Sequence, residues 1–400
     1  MGQVVVIGAG QAGASCVAKL RSLGFYGGIT LIGAEAVPPY QRPPLSKAYL
    51  LGDMTLERLF LRPESYYAEQ DIGLRLGTWV SAIDTDAQTV TAGDETLPYD
   101  HLVLTTGSIP RRLPASIGGD LDGVFVVRDL GDADAMEPEF QAGRRVLIVG
   151  GGYIGLEAAA VAGKKGLEVT LVEMSDRILQ RVAAPETSDF FRALHAGHGV
   201  DIREGVGLKR LIGDTRVTGA ELTDGSEIEV DFVIAGVGIA PATALAETAG
   251  LSIDNGIAVD AQGRCSAEGV WAAGDCASFP HAGGRIRLES VPHAIDQAEC
   301  VAANIMGAAQ DYTARPWFWS DQYDVKLQIA GLNTGYDRVV VRDGGTAKSF
   351  WYYAGDRLLA VDAANDPRGY MIGKRLIEAG KTAPPDIVAD PDGDLKALLK

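Results

Sequence analysis

The sequence has no close pair of cysteines. Cys16, Cys265, Cys276 and Cys300 are scattered through 400 residues, and none forms a C-x-x-C spacing. That excludes a local redox disulfide and the usual zinc frames, which need thiols a few positions apart. The five histidines, His101, His195, His198, His281 and His293, supply no ligand spacing either. His195 and His198 stand three apart on an expected helix and read as solvated or core-edge residues, so no metal site is expected. Long apolar runs are missing as well. No stretch reaches the roughly eighteen apolar residues that a membrane helix needs, so no membrane span is expected. Positive charge is scarce, with 36 Lys and Arg against 53 Asp and Glu, a net charge of −17. Non-specific nucleic-acid binding needs a basic surface and is disfavoured. The opening MGQVVVIGAG shows no basic region ahead of an apolar run. Cytoplasmic residence is therefore the expectation.

What is present is ordinary globular composition, 46% hydrophobic and 22% charged. At roughly 150 residues per domain, the length suggests two or three domains. The chain is organised around Val4 to Gly13, VVVIGAGQAG. Four β-branched residues in a row read as a parallel strand buried on both faces. Gly8, Gly10 and Gly13 then fall at the G-x-G-x-x-G spacing. The first glycine permits the tight turn, the second lets backbone approach a pyrophosphate, and the third lets a helix pack close. An acidic residue should follow a second strand to hold a ribose hydroxyl. Ile29 to Ile32 is that strand and Glu35 is the acid, 22 residues after Gly13.

The loop after Glu35 holds Pro38, Pro39, Pro43 and Pro44 and reads as stiff and non-helical. It can hold Arg42, Ser46 and Lys47 in fixed positions, or serve as a plain surface loop. The opening pattern then repeats. Arg145 to Val149 reads as a strand, Gly150, Gly152 and Gly155 repeat the glycine spacing, and Glu173 ends the next strand. A second dinucleotide site follows from that repetition. Ser290 can cap a helix with Pro292 in its first turn. Aromatics gather from Trp317 onward, and the runs Lys348–Tyr353 and Arg357–Asp362 read as a hairpin of a further domain. The tail after Ala383 reads as peripheral.

Taken together, these features resemble a known family. The two nucleotide folds, PPYQRPPLSKAYL, LVLTTG, VGGGYIGLE, GVGIAP, AAGDCA, ESVPHAIDQA and PWFWSDQY resemble the NADH-dependent ferredoxin reductases of bacterial oxygenase systems. The resemblance implies an α/β fold with two Rossmann-like dinucleotide-binding domains, glutathione-reductase-like, plus a C-terminal α+β domain. The implied boundaries are 1–110 for the first part of the FAD-binding domain, 111–240 for the NADH-binding domain, 241–316 for the second FAD-binding part, and 317–400 for the C-terminal domain. Gly8, Gly10, Ala12, Gly13 and Glu35 would hold FAD. Arg42, Lys47, Val80, Arg128, Asp275 and Val291 match further FAD contacts, with Lys47 near the flavin ring. Gly150, Gly152, Tyr153, Ile154, Gly155 and Glu173 match the NADH site, and Glu157 would lie near the nicotinamide. Tyr153 would stack over the flavin, and Trp319 would border it near the ferredoxin face. Lys47, Tyr153, Glu157 and Trp319 are thus the expected catalytic residues.

The implied activity is NADH-dependent ferredoxin reduction. Hydride passes from NADH to FAD, and single electrons pass to a 2Fe–2S ferredoxin. The ferredoxin would supply a haem-thiolate mono-oxygenase or a ring-hydroxylating dioxygenase. Without a redox disulfide, electrons must leave the flavin directly. The alternatives are a rubredoxin or monodehydroascorbate-type reductase on the same fold, or a redox interaction protein like apoptosis-inducing factor. Since both partners would be acidic, docking would need a local basic patch, with Arg285, Arg287 and Lys326 as candidates.

Overall fold

A computed structural model describes residues 2–399. The chain divides into two compact units. The first comprises the residues up to Gln41, Thr55–Ile109 and Ile239–Pro316; the second comprises Arg42–Met54, Pro110–Gly238 and the chain from Trp317.

The first unit is built on a five-stranded parallel sheet. Its spatial order is Val270–Ala272, His101–Leu104, Gln3–Ile7, Gly28–Ile32 and Ile72–Arg75. The central strand is buried on both faces, as its unbroken apolar run requires. Val4 and Val6 face the helices Gln11–Ser22 and Val291–Ile305, packing with Val17, Leu20, Ala298 and Val301. Val5 and Ile7 face the other way, into a core shared with the antiparallel strands Val80–Asp84 and Thr89–Ala92. Helix Val291–Ile305 starts as its sequence predicts, with Ser290 Oγ accepting from His293 N at 3.3 Å and Pro292 in the first turn.

The second unit repeats the plan. Its parallel sheet runs Asp201–Glu204, Glu168–Glu173, Arg145–Val149, Phe232–Ala235 and Val124–Phe125. Helices Tyr153–Lys164 and Pro185–Gly197 cover it. The unit also holds an antiparallel sheet in the order Trp317–Gln322, Val325–Gly331, Arg357–Ala364, Lys348–Ala354 and Arg338–Asp343. Strand alternation gives that sheet two apolar faces. Trp351, Tyr353 and Val361 pack under helix Pro367–Glu378, while Phe350 and Tyr352 pack on Ala184 and Phe190.

Two sequence expectations are corrected. The proline-rich loop is not wholly non-helical: Pro43–Ser46 forms a 3-10 turn and Ala48–Leu51 a short helix. Proline is compatible with a first helical turn because its missing N–H would have no partner there. Leu50 is buried in the core of the second unit, which anchors this segment. The tail is not peripheral. Val388 and Leu395 are buried in the core that helix Pro367–Glu378 shares with the antiparallel sheet, and the Arg342 guanidinium holds five tail carbonyls.

Candidate functional site

Each unit carries the same turn between its central strand and the helix that follows. Gly8 and Gly150 both have φ +111°. A Cβ on Gly8 would sit 2.2 Å from Thr105 O, and one on Gly150 would sit 2.4 Å from Gly236 O. Gly13 and Gly155 play the packing role: a Cβ on either would lie 2.0 Å from the carbonyl of Gly8 or Gly150. Gly10 and Gly152 differ in kind, for a Cβ on either would meet nothing within 4 Å. Both are helix N-caps in extended conformation, and neither helix receives a side-chain cap. Each turn therefore presents uncapped N–H donors, at the positive end of a helix dipole, toward open space.

The acidic residues sit where the spacing predicts. Glu35 follows the second strand and accepts from Tyr40 Oη at 2.5 Å. Glu173 ends its strand and accepts from Gly151 N at 2.8 Å and Ser175 N at 2.7 Å, which fixes its carboxylate over the second turn. Arg177, four residues on, is turned to Ser188 Oγ at 2.5 Å and Ala183 O at 2.8 Å. Asp275, just past the strand Val270–Ala272, accepts from Ser108 Oγ at 2.9 Å. The preceding Gly274 donates to Gln297 Oε1 at 2.8 Å. Gln297 was not among the expected residues; its signal is a polar side chain on the apolar face of a helix. Val80 is buried in the antiparallel sheet, Val291 opens the helix capped by Ser290, and Ala12 is buried at the start of helix Gln11–Ser22. Arg42 Nη1 donates to Arg128 O at 2.8 Å, so those two residues meet in the second unit.

The charged centre of the second unit is Glu157, only 2% exposed on helix Tyr153–Lys164. Lys47 Nζ lies 2.9 Å from its Oε1. Ser320 Oγ donates to the same oxygen at 2.7 Å, and Ser46 Oγ donates to Oε2 at 3.1 Å. Burial raises the Glu157 carboxyl above its usual range, while Lys47 and the two hydroxyls oppose that shift. Ser320 was not expected; it is a small polar residue among aromatics at a buried strand position. Tyr153 opens the same helix with its ring centroid 5.2 Å from that of Phe318. Its hydroxyl is buried without a hydrogen-bond partner. The Trp319 ring centroid lies 5.6 Å from that of Trp317 and 6.3 Å from that of Phe318. Ile154 is 44% exposed beside the second turn.

The suggested basic patch is corrected. Arg285 is folded back onto Val259 O and Ser278 O, and Arg287 pairs with Glu289 at 2.5 Å and donates to Asp275 O at 3.1 Å. These guanidinium groups hold the first unit's own backbone. Lys326 is exposed. Cys16, Cys276 and Cys300 are buried and Cys265 is half-buried, all as free thiols. Burial pushes the Cys16 thiol up to about 12. His195 is fully buried rather than core-edge, and burial takes it down to about 4.

Residues 2–298 match the family model of the pyridine nucleotide-disulphide oxidoreductases. The chain belongs to that family. Residues 317–399 match a second model, described as a reductase C-terminal domain. Among the family's members, the chain is 44% identical to rhodocoxin reductase of Rhodococcus erythropolis, over 99% of this chain and 94% of that protein. It is 45% identical to a ferredoxin–NAD(P)+ reductase of a Sphingomonas species, over 99% and 97%. Among solved structures it resembles the reductase of the covalent putidaredoxin reductase–putidaredoxin complex, with TM-score 0.96 and 41% identity over 100% of this chain and 98% of that one. These close relatives are reductases of ferredoxin systems, and the family uses FAD and NAD(P)H. The pyridine nucleotide-disulphide oxidoreductase turns seen here fit such groups. Each has room at its middle glycine and unspent N–H donors for a pyrophosphate, with an acid beyond the next strand.

Proposed function

We propose that this protein is an NADH:ferredoxin oxidoreductase acting on a 2Fe–2S ferredoxin of an oxygenase system. The observation that carries this reading is the pair of equally built dinucleotide turns, one in each unit. Bound FAD supplies a centre that accepts a hydride and releases electrons one at a time. The chain's own residues bind and orient. Gly8, Gly10, Ala12 and Gly13 admit the FAD pyrophosphate, Glu35 accepts from its ribose, and Asp275, oriented by Ser108, accepts from further hydroxyls. Val80 and Val291 line the rest of that cofactor within the first unit, and Arg42 and Arg128 are assigned to it from the family resemblance. Gly150, Gly152, Ile154, Gly155 and Glu173 hold NADH. Lys47 and Glu157 place a buried charge pair at the reacting end, Tyr153 covers it, and Trp319 faces the ferredoxin. The buried thiols support direct exit of electrons from the flavin, since a thiol with a raised pKa is a poor nucleophile and redox relay. No helix of the described residues is long and apolar enough to cross a membrane, and we place the enzyme in the cytoplasm.

The test is reconstitution. Acid precipitation should release FAD into the supernatant, and NADH should drive reduction of a 2Fe–2S ferredoxin at many turnovers per minute. Trp319→Ala should slow ferredoxin reduction more than flavin reduction in stopped-flow. Turnover of quinones, rubredoxin or ascorbate radical without any ferredoxin reduction would overturn the acceptor class.

Nucleotide choice is a second expected outcome. The Glu173 carboxylate is held beside the second turn, and a 2′-phosphate would bring up to two further negative charges. Unit charges ~4 Å apart interact by about 4 kcal/mol at an effective dielectric near 20. Solvent reduces this, leaving at least roughly tenfold in kcat/KM for NADH over NADPH. Arg177, which could favour the phosphate, is already engaged by Ser188 and Ala183. Equal kcat/KM values for the two nucleotides would refute the role of Glu173.

A further inference from the structure

Behind Glu157 a row of polar side chains runs inward through the second unit. Ser320 and Gln322 stand two apart on the strand Trp317–Gln322, so they share a face. His195 comes from the helix Pro185–Gly197. All three are fully buried. Gln322 Nε2 lies 3.1 Å from Ser320 Oγ, and His195 Nε2 lies 2.8 Å from Gln322 Oε1. The row ends at the 2.7 Å bond from Ser320 Oγ to Glu157 Oε1.

The direction of every bond in this row follows from its outer end. Paired with Lys47, Glu157 is ionised and can only accept. The single proton of Ser320 must then point at Glu157, which leaves the Ser320 oxygen to accept from behind. That requires the NH2 of Gln322 on the Ser320 side and its carbonyl on the His195 side. A carbonyl can only accept, so His195 must carry its proton on Nε2. The other ring nitrogen, Nδ1, is then a bare acceptor, and it is indeed buried without a partner. An orphan acceptor costs less than an orphan N–H. The opposite amide orientation would bury an unpaired Nδ1–H and turn the Ser320 lone pairs on the carboxylate.

We propose that His195, Gln322 and Ser320 are positioning residues for Glu157, a one-way row of donors that aims the Ser320 hydroxyl at its carboxylate. The proposal rests on the assignment of Glu157 to the nicotinamide site. The row orients and does not conduct, because the Gln322 amide does not readily give up a proton. Burial keeps His195 neutral, with a pKa pushed down to about 4, so the polarity is unchanged across the working pH range. Lys47 is the charged neighbour of Glu157. Around His195 the titratable groups are His198, the residue that caps the end of the same helix, and Tyr323, whose ring packs edge-on against His195 and stacks on His198.

The test reads Glu157 and His195 directly in the holoenzyme. Carbon-13 labelling of glutamate carboxyls, assigned with Glu157→Gln, gives the titration midpoint of Glu157. Nitrogen-15 labelling of histidines, assigned with His195→Asn, gives the His195 tautomer. The expected tautomer at pH 7 is the neutral ring with its proton on Nε2. Ser320→Ala and Gln322→Leu should each raise the Glu157 midpoint by about one pH unit, since each removes or misdirects a charge-assisted bond. Ser320→Thr keeps a hydroxyl and should restore the parental midpoint. Ser320→Ala removes only one buried oxygen, so it carries the test if Gln322→Leu does not fold. An unmoved midpoint in Ser320→Ala, or a His195 proton on Nδ1, would overturn the proposal. The nicotinamide assignment is judged separately: parental rates of NADH-driven flavin reduction in Glu157→Gln would refute that assignment while leaving the midpoints to decide the row.

Discussion

Lys47→Met should lower the unfolding free energy by about 3 kcal/mol at pH 8, because it leaves a buried carboxylate without its cation. The Glu157 side chain is 2% exposed and that of Lys47 is 16%, so little water reaches the pair. Ser46 and Ser320 would remain as donors, but neither carries charge. The loss should depend on pH, with a definite sign. Burial holds the folded-state pKa of Glu157 above its unfolded value, and loss of Lys47 removes the main opposing influence. A raised carboxyl favours the protonated folded protein. The deficit is therefore full above the folded-state pKa and shrinks as pH falls toward the unfolded range near 4.3. Urea unfolding at pH 8 and pH 5.5 should show the smaller deficit at pH 5.5. Adding Glu157→Gln should recover most of the loss at pH 8, since the double variant buries no charge. If the pair stands at the nicotinamide, flavin reduction by NADH in Lys47→Met should also slow by about 10²-fold. Parental stability at pH 8 would show that the pair is not buried as described.

Arg342→Leu should destabilise the C-terminal sheet by a similar amount, about 3 kcal/mol. Arg342 is buried, with 9% of the residue exposed. Its Nη1 donates to Ile387 O at 3.3 Å, Val388 O at 3.2 Å and Asp390 O, and its Nη2 to Pro391 O at 2.7 Å and Gly393 O at 3.1 Å. Hydrogen bonds to a charged donor are worth roughly 1.5–3 kcal/mol each, and bonds sharing one donor group do not add. Without the guanidinium, five carbonyls lose their shared donor and the tail gains freedom to leave. Limited proteolysis should then cut after Ala383, and mass spectrometry should report the shortened chain before the rest is degraded. Arg342→Lys keeps the charge but has three donors and no planar fork, so it should recover only part of the loss. A variant that resists proteolysis and unfolds like the parent would refute this account of the tail.

Both predictions depend on partners far apart in the chain, which is where sequence reading and structure part. The two dinucleotide turns were legible because their requirements are local. A positive φ at Gly8 and Gly150, a close helix at Gly13 and Gly155, and an acid after the next strand are all met within about thirty residues. The buried strand Gln3–Ile7 and the Ser290 cap are legible for the same reason. Short-range backbone geometry selects residue types at fixed spacings. No spacing rule joins Lys47 to Glu157, Gln322 to His195, or Arg342 to the tail. The proline loop reads as non-helical because its prolines are visible in the sequence while the core that receives Leu50 is not. Arg285 and Arg287 read as surface charge because no fixed spacing marks the carbonyls they hold, near as these are in sequence. Sequence by itself determined the two nucleotide folds and the positions of their glycines and acids. Tertiary structure alone decided which side chains face one another across those folds, because desolvation and hydrogen-bond direction exist only once distant segments have been buried together.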